Sequence, residues 1–471
     1  MLEPSDSTAS EAKPPKELAQ QVVMPLPEYD FEAAWRWLSS LAPRGIQLGL
    51  GRTEAALERL GNPHAGMVAV TIAGTNGKGS TASFLAAILH EAGYRVGLYT
   101  SPHLVSATER IRIGGHTILP LDFARWAFIV RDVIEPSDAR APIPLTQFEV
   151  LTVMALGYFH ERQIDLAVLE VGLGGRLDAT NVVAAKVAVL TAIGKDHEQI
   201  LGNSLRAIAR EKVAIAKPGA ALVSGVRPSL WHSVVGPWSR ENHCRARRHR
   251  VDFVHTWLPG GFRYRGWMHR AGPVHLALAG RHQGNNAALA CAAAECLVDE
   301  GYRIRATDLA EGLLRARHRA RLERLEPTGQ WPALLIDGAH NPMGARVLAR
   351  HLPAFLPERP RVLLYGVNPD KDVAAMLRAL APHADVIVLT QSEARPIADF
   401  APYVAMARMA APRVDVVAEA RAPAALDLAR TIAGARGGVA LTGSLYLIGD
   451  LLPLIPTVIR EAGAVRLVTS S

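Results

Sequence analysis

The sequence predicts an α/β protein built as two successive alternating series, the first opening on a phosphate-binding loop. Three observations carry this. Short β-branched apolar runs at 67–72, 95–99, 165–170 and 186–191 alternate with stretches of helical period. A glycine-rich octet, Ala73 to Ser80, joins the first of these runs to a helical stretch. A second alternation begins at 333 and runs to 442. Strands that alternate with helices form largely parallel sheets covered on both faces.

In chain order, residues 1–25 are rich in Pro, Ser, Glu and Lys without apolar period and read as a disordered tail. Phe31 to Leu41 reads as a short amphipathic helix with Trp35 and Leu38 on one face. Met67 to Ile72 is a buried strand, followed by a helix from Gly79 to Ala92. The strands at 95–99, 165–170 and 186–191 are interspersed with helices near 121–135, 147–160 and 203–216. Between 251 and 278 the pair Gly260-Gly261 and alternating aromatics predict antiparallel strands at the edge of the first domain. Helices at 283–300 and 306–317 close that domain, and the charged stretch Arg317 to Glu326 is the expected boundary. Strands at 333–338, 361–366, 384–389 and 438–442, with helices near 343–356, 372–381, 400–410 and 422–434, make a second, smaller α/β domain. The expected division is therefore 26–318 and 319–471, without short-period repeats.

Composition bounds the function classes. With 49% hydrophobic and 20% charged residues, most of the 471-residue chain has material for buried cores. No run of about 18 apolar residues occurs, so no membrane-spanning helix is expected. The acidic, polar start is unlike a secretory signal. Three cysteines fit a reducing, cytoplasmic setting better than a disulfide framework, and Cys291 and Cys296 read as buried thiols. The net charge of +8 clusters at Arg245–Arg250 and Arg315–Arg324 and favours an anionic ligand, although the first cluster reads equally well as a solvated face. Neither cluster interleaves aromatic residues, so a small anion ranks above nucleic acid.

The octet Ala73-Gly74-Thr75-Asn76-Gly77-Lys78-Gly79-Ser80 lies between strand and helix. Its glycines let backbone N–H groups point into one concavity, the following helix adds its positive end, and Lys78 reaches terminal phosphates. The general P-loop spacing is not quite met: Ile72 replaces the first Gly and Gly79 separates Lys78 from Ser80. Glycine, lysine and hydroxyl together at such a junction outweigh the alternative of an idle Gly-rich turn.

The octet resembles the phosphate loop of the ATP-dependent amino-acid ligases that include the Mur ligases. Further segments narrow the resemblance to the folylpolyglutamate synthase branch, including its bifunctional dihydrofolate synthase type. They are TSPHLVSATERIRI (100–113), LTQFEVLT (145–152), LEVGLGGRLDATN (169–181), DHEQILG (196–202), AREKVAI (209–215), GNNAALA (284–290), IDGAHNP (336–342) and LTGSLYLIGD (441–450). The resemblance implies a P-loop-type mononucleotide-binding domain, a Rossmann-like C-terminal domain and an active site in the cleft between them. It also implies a cytoplasmic enzyme of folate biosynthesis, monomeric and independent of nucleic acid and membrane. Its substrates are dihydropteroate or folate, glutamate and ATP, with Mg²⁺ as cofactor.

A carboxylate and an amine condense only after activation, which ATP supplies by forming an acyl phosphate. The resemblance implies Ser101, Glu170 and His197 as Mg²⁺ ligands, and Lys78, Lys212 and His197 as catalytic groups. Glu170 also ends an apolar strand, where parallel sheets bind ligands. His197 is an unusual ligand for a hard cation, and a packed or capping histidine is the plain alternative. Lys212 matches a lysine that is carbamylated in the family, an N6-carboxylysine that holds a second Mg²⁺; an ordinary helix lysine is the alternative. Asn286, Arg321 and Asp337 match ATP contacts, Asp337 being suited either to ribose hydroxyls or to a linker contact. The family often has Pro-Gly-Arg where this chain has Arg319-Ala320-Arg321, so Arg319 competes for the role of Arg321. His340 either lines the glutamate or phosphate side or starts a helix before Pro342. On the acceptor side the resemblance implies Thr146, Phe148, Glu149, Leu177, Asp178 and Ala179, Phe148 stacking on a pterin or packing in the core. Gln47 stands where Asp is common and receives no role. A ligase for another acceptor and a non-catalytic nucleotide-binding regulator are the competing readings; TSPHL and LTQFE count against the first, and the joint presence of Lys78, Glu170, His197 and Lys212 against the second.

Overall fold

The computed structural model describes residues 29–329 and 331–456, so the tail expected over 1–25 lies outside the described residues. Helix α1 (Phe31–Ser40) begins where the Asp30 carboxylate takes the N–H groups of Glu32 and Ala33. A second helix, α2 (Gly51–Arg59), follows; it is absent from the sequence-based expectation although its buried Thr53, Ala56 and Leu57 keep helical spacing. Strand β1 (Ala69–Ala73) is buried along its whole length and runs into α3 (Lys78–Glu91). Next come β2 (Val96–Tyr99), the short β3 (Ile111–Ile113) and β4 (His116–Thr117), α4 (Pro120–Ile134), α5 (Gln147–Glu161), β5 (Leu166–Glu170) and β6 (Val187–Leu190). The series ends with α6 (Glu198–Leu201), α7 (Leu205–Val213), β7 (Ala221–Ser224), α8 (Pro228–Leu230), α9 (Gly236–Glu241) and β8 (Arg245–Arg248).

These strands form one eight-stranded sheet in the order β4-β3-β2-β5-β1-β6-β7-β8. Pairing is parallel from β2 to β8; β3 pairs antiparallel with both β2 and β4, so β3 alone runs against the rest. The phosphate-loop strand β1 sits inside the sheet, with Ile72 opposite Glu170 of β5 and Ala73 opposite Leu190 of β6. That register delivers three loops to one carboxyl end, where open parallel sheets bind ligands.

The antiparallel strands expected within 251–278 are β9 (Val254–Leu258), β10 (Gly261–Arg265) and β11 (Arg270–Val274), and they form a sheet of their own. Their inner residues Phe262 and Tyr264 share a core with α10 (Gln283–Asp299). Glu295 of α10 accepts from the Tyr264 hydroxyl at 3.1 Å and from the backbone N–H groups of Trp267, Met268 and His269 at 3.2, 3.3 and 2.6 Å. The basic run after 245 is not an open cationic face: it supplies the edge strand β8. Arg247 lies 4.6 Å over the Trp267 ring, Arg248 lies 4.5 Å over Trp231, and Arg245 pairs with Glu300. The aromatic partners absent from the local sequence arrive from other elements.

After α11 (Ala306–Arg315) the chain crosses to the second sheet. Part of the charged boundary is itself a strand, β12 (Glu323–Leu325), antiparallel to β13 (Ala333–Ile336). There follow α12 (Pro342–Phe355), β14 (Arg361–Gly366), α13 (Val373–Leu380), β15 (Val386–Thr390), α14 (Ala401–Ala410), β16 (Asp415–Ala418), α15 (Ala422–Ala433), β17 (Gly438–Thr442) and α16 (Leu445–Leu451). The order β12-β13-β17-β14-β15-β16 is parallel throughout except at β12. Cys291 and Cys296 are buried free thiols, as their place in an apolar helix predicts. Among the described residues no helix is long and apolar enough to cross a membrane.

Candidate active site

A cleft of about 1260 Å³ lies where the carboxyl ends of β1, β5 and β6 meet the second sheet, and every site residue singled out in the sequence lines it. Its floor is the loop from Gly74 to Gly77. Thr75 N donates to Ala192 O at 2.8 Å, and Thr75 Oγ1 contacts both the N–H and the carbonyl of Gly194 at 3.0 Å, which pins the loop to the segment after β6. Gly77 takes φ 92, a left-handed conformation that favours glycine. At Gly79 a Cβ would stand 2.7 Å from His318 Cε1 and 3.2 Å from Glu170 Oε2, so no larger residue fits. Lys78 folds back with Nζ 3.3 Å from Thr75 O. Ser80 lines the cleft in the first turn of α3.

Glu170 ends β5 and is buried. One of its oxygens accepts from Ser101 N at 3.2 Å, and no protein hydrogen bond to the other is found among the described residues. Burial raises its pKa, opposed by Lys78, the Ser101 N–H and Arg321. His197, in a left-handed conformation at φ 50, lies with Nε2 3.4 Å from Lys371 Nζ. Burial lowers its pKa, Asp196 opposes, and the cations Lys371, Lys78 and Lys212 lower it further. Lys212 of α7 is 5% exposed. Burial first, then Lys78, pull its pKa down to about 7 against the opposing carboxylates of Asp196 and Asp178. Among the described residues no three His, Cys, Asp or Glu side chains form a ready metal cluster. A buried carboxylate with an unbonded oxygen beside a phosphate loop nevertheless suits a hard divalent cation, which keeps waters and takes phosphate oxygens as ligands.

The wall that carries Thr146, Phe148 and Glu149 is tightly built. Thr146 and Glu149 form the capping box of α5: Glu149 Oε2 accepts from Thr146 N at 2.7 Å and from its hydroxyl at 2.8 Å, and Glu149 N donates to Thr146 Oγ1 at 3.3 Å. The other Glu149 oxygen pairs with Arg52 at 2.8 Å. Asp178 is equally occupied, by Leu173 N at 2.9 Å and by Thr180 N and Oγ1 at 3.0 and 2.6 Å. Phe148 is half-buried, its ring against Gly172 and 6.0 Å from the Tyr99 ring. Leu177 and Ala179 complete that wall, and the loop Gly45 to Leu48, Gln47 included, edges it.

The second sheet supplies the far wall. Arg321 lines the cleft with Nη1 on its neighbour's carbonyl, Ala320 O, at 2.9 Å. Arg319 pairs with Glu323 at 2.7 Å and is not among the residues lining the cleft. The half-buried Asp337 carboxylate accepts from Leu322 N at 2.9 Å and from Ala339 N at 3.0 Å, which ties it to the crossing between the sheets. His340 sits with Nδ1 2.8 Å from Gly338 O, and burial brings its pKa down to about 4. The helix start at Pro342 is capped by Asn341. Asn286 of α10 donates to Gln283 Oε1 at 2.8 Å and faces Gly77.

Sequence reasoning missed three residues. Asp196 Oδ1 lies 2.5 Å from Lys371 Nζ, and burial, which alone would raise its pKa, is outweighed by Lys371, leaving it at about 2. Asn341 joins Asn76 across the cleft, Nδ2 to Oδ1 at 2.8 Å, and also donates to Asp196 Oδ2 at 3.1 Å. Asp196 and Asn341 lie inside motifs already quoted; nothing in the loop holding Lys371 signals its reach.

Two α/β sheets facing each other over a phosphate loop define a Mur-type ligase, and two family models agree: Mur ligase middle domain over 72–221 and Mur ligase, glutamate ligase domain over 320–445. The chain is 32% identical to the dihydrofolate synthase/folylpolyglutamate synthase of Bacillus subtilis (strain 168), over 89% of this chain and 98% of that protein. The folylpolyglutamate synthase of Mycobacterium tuberculosis complexed with ADP superposes with a TM-score of 0.82 at 31% identity, over 90% of this chain and 99% of that one. E. coli FolC in complex with DHPP and ADP gives 0.78 at 31% identity, over 90% and 97%. The chain therefore belongs to the dihydrofolate synthase/folylpolyglutamate synthase family of ATP-dependent ligases.

Proposed function

We propose that this protein adds L-glutamate to dihydropteroate, to tetrahydrofolate or to both, at the expense of ATP, in the folate and one-carbon economy of the cytoplasm. The observation that carries this is the layout of the cleft: a phosphate loop at one end, an aromatic-floored wall at the other, and the buried Glu170 and Lys212 in its lining. An acceptor with its ring on Phe148 presents its carboxylate toward the phosphates.

A carboxylate oxygen of the acceptor attacks the γ-phosphorus while the bond to the bridging oxygen breaks and ADP leaves. The glutamate amine then attacks the acyl carbon, loses a proton and expels inorganic phosphate. Gly74 to Ser80 cradle the phosphates, Lys78 offsets the charge building on them, and Asn286, Arg321 and Asp337 complete the nucleotide site. Thr146, Phe148, Glu149, Leu177, Asp178 and Ala179 shape the acceptor site, the polar ones by holding its walls rigid, and His340 faces the glutamate and phosphate side. Ser101, Glu170 and His197 would hold one Mg²⁺, and Lys212, as a carbamate, a second; the ions would neutralise phosphate charge. Burial and the nearby Lys78 favour the neutral Lys212 amine that CO₂ requires. In this reading 26–318 is the ATP-binding domain and 319–471 the glutamate-ligase domain, and a monomer suffices because one chain supplies the whole cleft.

The test is phosphate release with ATP, Mg²⁺ and glutamate, comparing 7,8-dihydropteroate with tetrahydrofolate and weighing the products by mass spectrometry. Glutamate on both establishes a bifunctional enzyme, and glutamate on tetrahydrofolate alone a folylpolyglutamate synthase. Glutamate on neither, in folded protein that binds ATP, defeats the proposal.

A further inference from the structure

The crossing between the two sheets is short and unevenly anchored. Ala316 belongs to the core of the first sheet and Ala320 to a core of the second, so Arg317, His318 and Arg319 span the gap. On the far side the crossing is held firmly. Glu323 takes both the Arg319 guanidinium and Ala320 N, the latter at 2.8 Å. Ala320 O accepts from Gly338 N at 2.9 Å, and Leu322 N donates to Asp337. Ala320 and Leu322, at φ 55 and 46, adopt left-handed conformations that these side chains rarely take.

On the near side His318 makes the polar contact with α3. His318 Nδ1 lies 3.2 Å from Ser83 Oγ on the buried flank of α3, and the opposite ring edge, Cε1 and Nε2, lies against Gly79 in the phosphate loop. His318 is not among the residues that line the cleft. Arg321, three residues on, does line it and acts electrostatically on Glu170.

We propose that His318 is a positioning residue that keys the interdomain crossing to the first turns of α3, and so sets Arg321 relative to the phosphate loop. Gly79 is the socket for this key, since any side chain there would meet the imidazole. The strained backbone of Ala320 and Leu322 then transmits the seating of His318 directly to Arg321, because the intervening residues have little freedom to absorb a shift. The proposal rests on the ligase reading only for its turnover readout.

The experiment is a double-mutant cycle between His318 and Arg321, read both in AMPPNP affinity and in steady-state glutamate addition. His318→Leu is expected to weaken AMPPNP binding and lower kcat, each by about tenfold, with the KM of the folate acceptor within about twofold of wild type. His318→Asn, which returns a polar atom at the Nδ1 position, is expected to recover most of the loss. His318→Leu with Arg321→Ala is expected to be no worse than Arg321→Ala alone. Ser83→Ala, which leaves the crossing untouched, is expected to shift AMPPNP affinity in the same direction by about threefold, and serves if His318→Leu does not fold. Unchanged AMPPNP affinity in His318→Leu and Ser83→Ala, or losses that multiply in the double variant, overturns the proposal. Coupled AMPPNP binding in a protein that adds no glutamate supports it and defeats only the ligase reading.

Discussion

Lys371, from the loop after β14, places its ammonium 2.5 Å from the Asp196 carboxylate on the segment after β6, and so ties the two walls of the cleft together. Both side chains are only 10% exposed. A partly buried carboxylate stripped of its cation costs more than an exposed one, because water cannot take the cation's place. Lys371→Met is therefore expected to destabilise the protein by about 3 kcal/mol in urea unfolding. A loss below about 0.5 kcal/mol would show that Asp196 is already satisfied by Asn341.

Lys78 is the cation carried by the phosphate loop itself. Lys78→Ala is expected to lower kcat/KM for amide formation by at least about 10³-fold. Full turnover in the variant would remove the loop from the reaction.

Lys212 invites a pH experiment. CO₂ adds to a neutral amine, and with a pKa near 7 the amine is mostly neutral at pH 8 and mostly protonated at pH 6. Bicarbonate is therefore expected to raise activity of CO₂-depleted enzyme at pH 8 and much less at pH 6, with a matching mass increment on Lys212. Lys212→Ala should lose most activity and all bicarbonate response. A bicarbonate effect that survives in the variant places the modification elsewhere.

Glu149 separates wall-building from direct binding. Both its oxygens are engaged within the fold, by Thr146 and Arg52. Glu149→Ala is expected to cost about 2–3 kcal/mol, combining a lost cap with an unpaired arginine. Arg52→Ala should cost less, since Glu149 keeps Thr146. If instead Glu149→Ala leaves stability intact and raises only the acceptor KM, the carboxylate reaches the substrate.

Much of this was legible before any coordinates. The strands β1, β5, β6, β13, β14 and β17 are β-branched apolar runs bounded by turns, and the motifs at their ends are local in sequence. The strands β3, β4 and β12 give no period in two or three residues, whereas β7 and β16 escaped although they are as long as β6 and β13. β8 was hidden for a different reason: its arginines are accommodated by Trp231 and Trp267, which only the tertiary fold brings near. The pairing of Lys371 with Asp196 spans 175 residues and depends on how the sheets face each other. The different placements of Arg319 and Arg321 likewise depend on the turn at Ala320, which sends one guanidinium to Glu323 and the other into the cleft.

The Glu295 carboxylate bears on how far this enzyme could be trimmed. α10 carries Asn286 at the cleft and Glu295 nine residues on, about 14 Å along the same rod. Glu295 has its four recorded donors from the small antiparallel sheet and the turn beside it. Deleting β9 to β11 as a dispensable decoration would strand that carboxylate near the C-terminal end of the rod and bare the apolar flank around it. A reduced catalyst cut down to the two large sheets would thus need α10 redesigned as well.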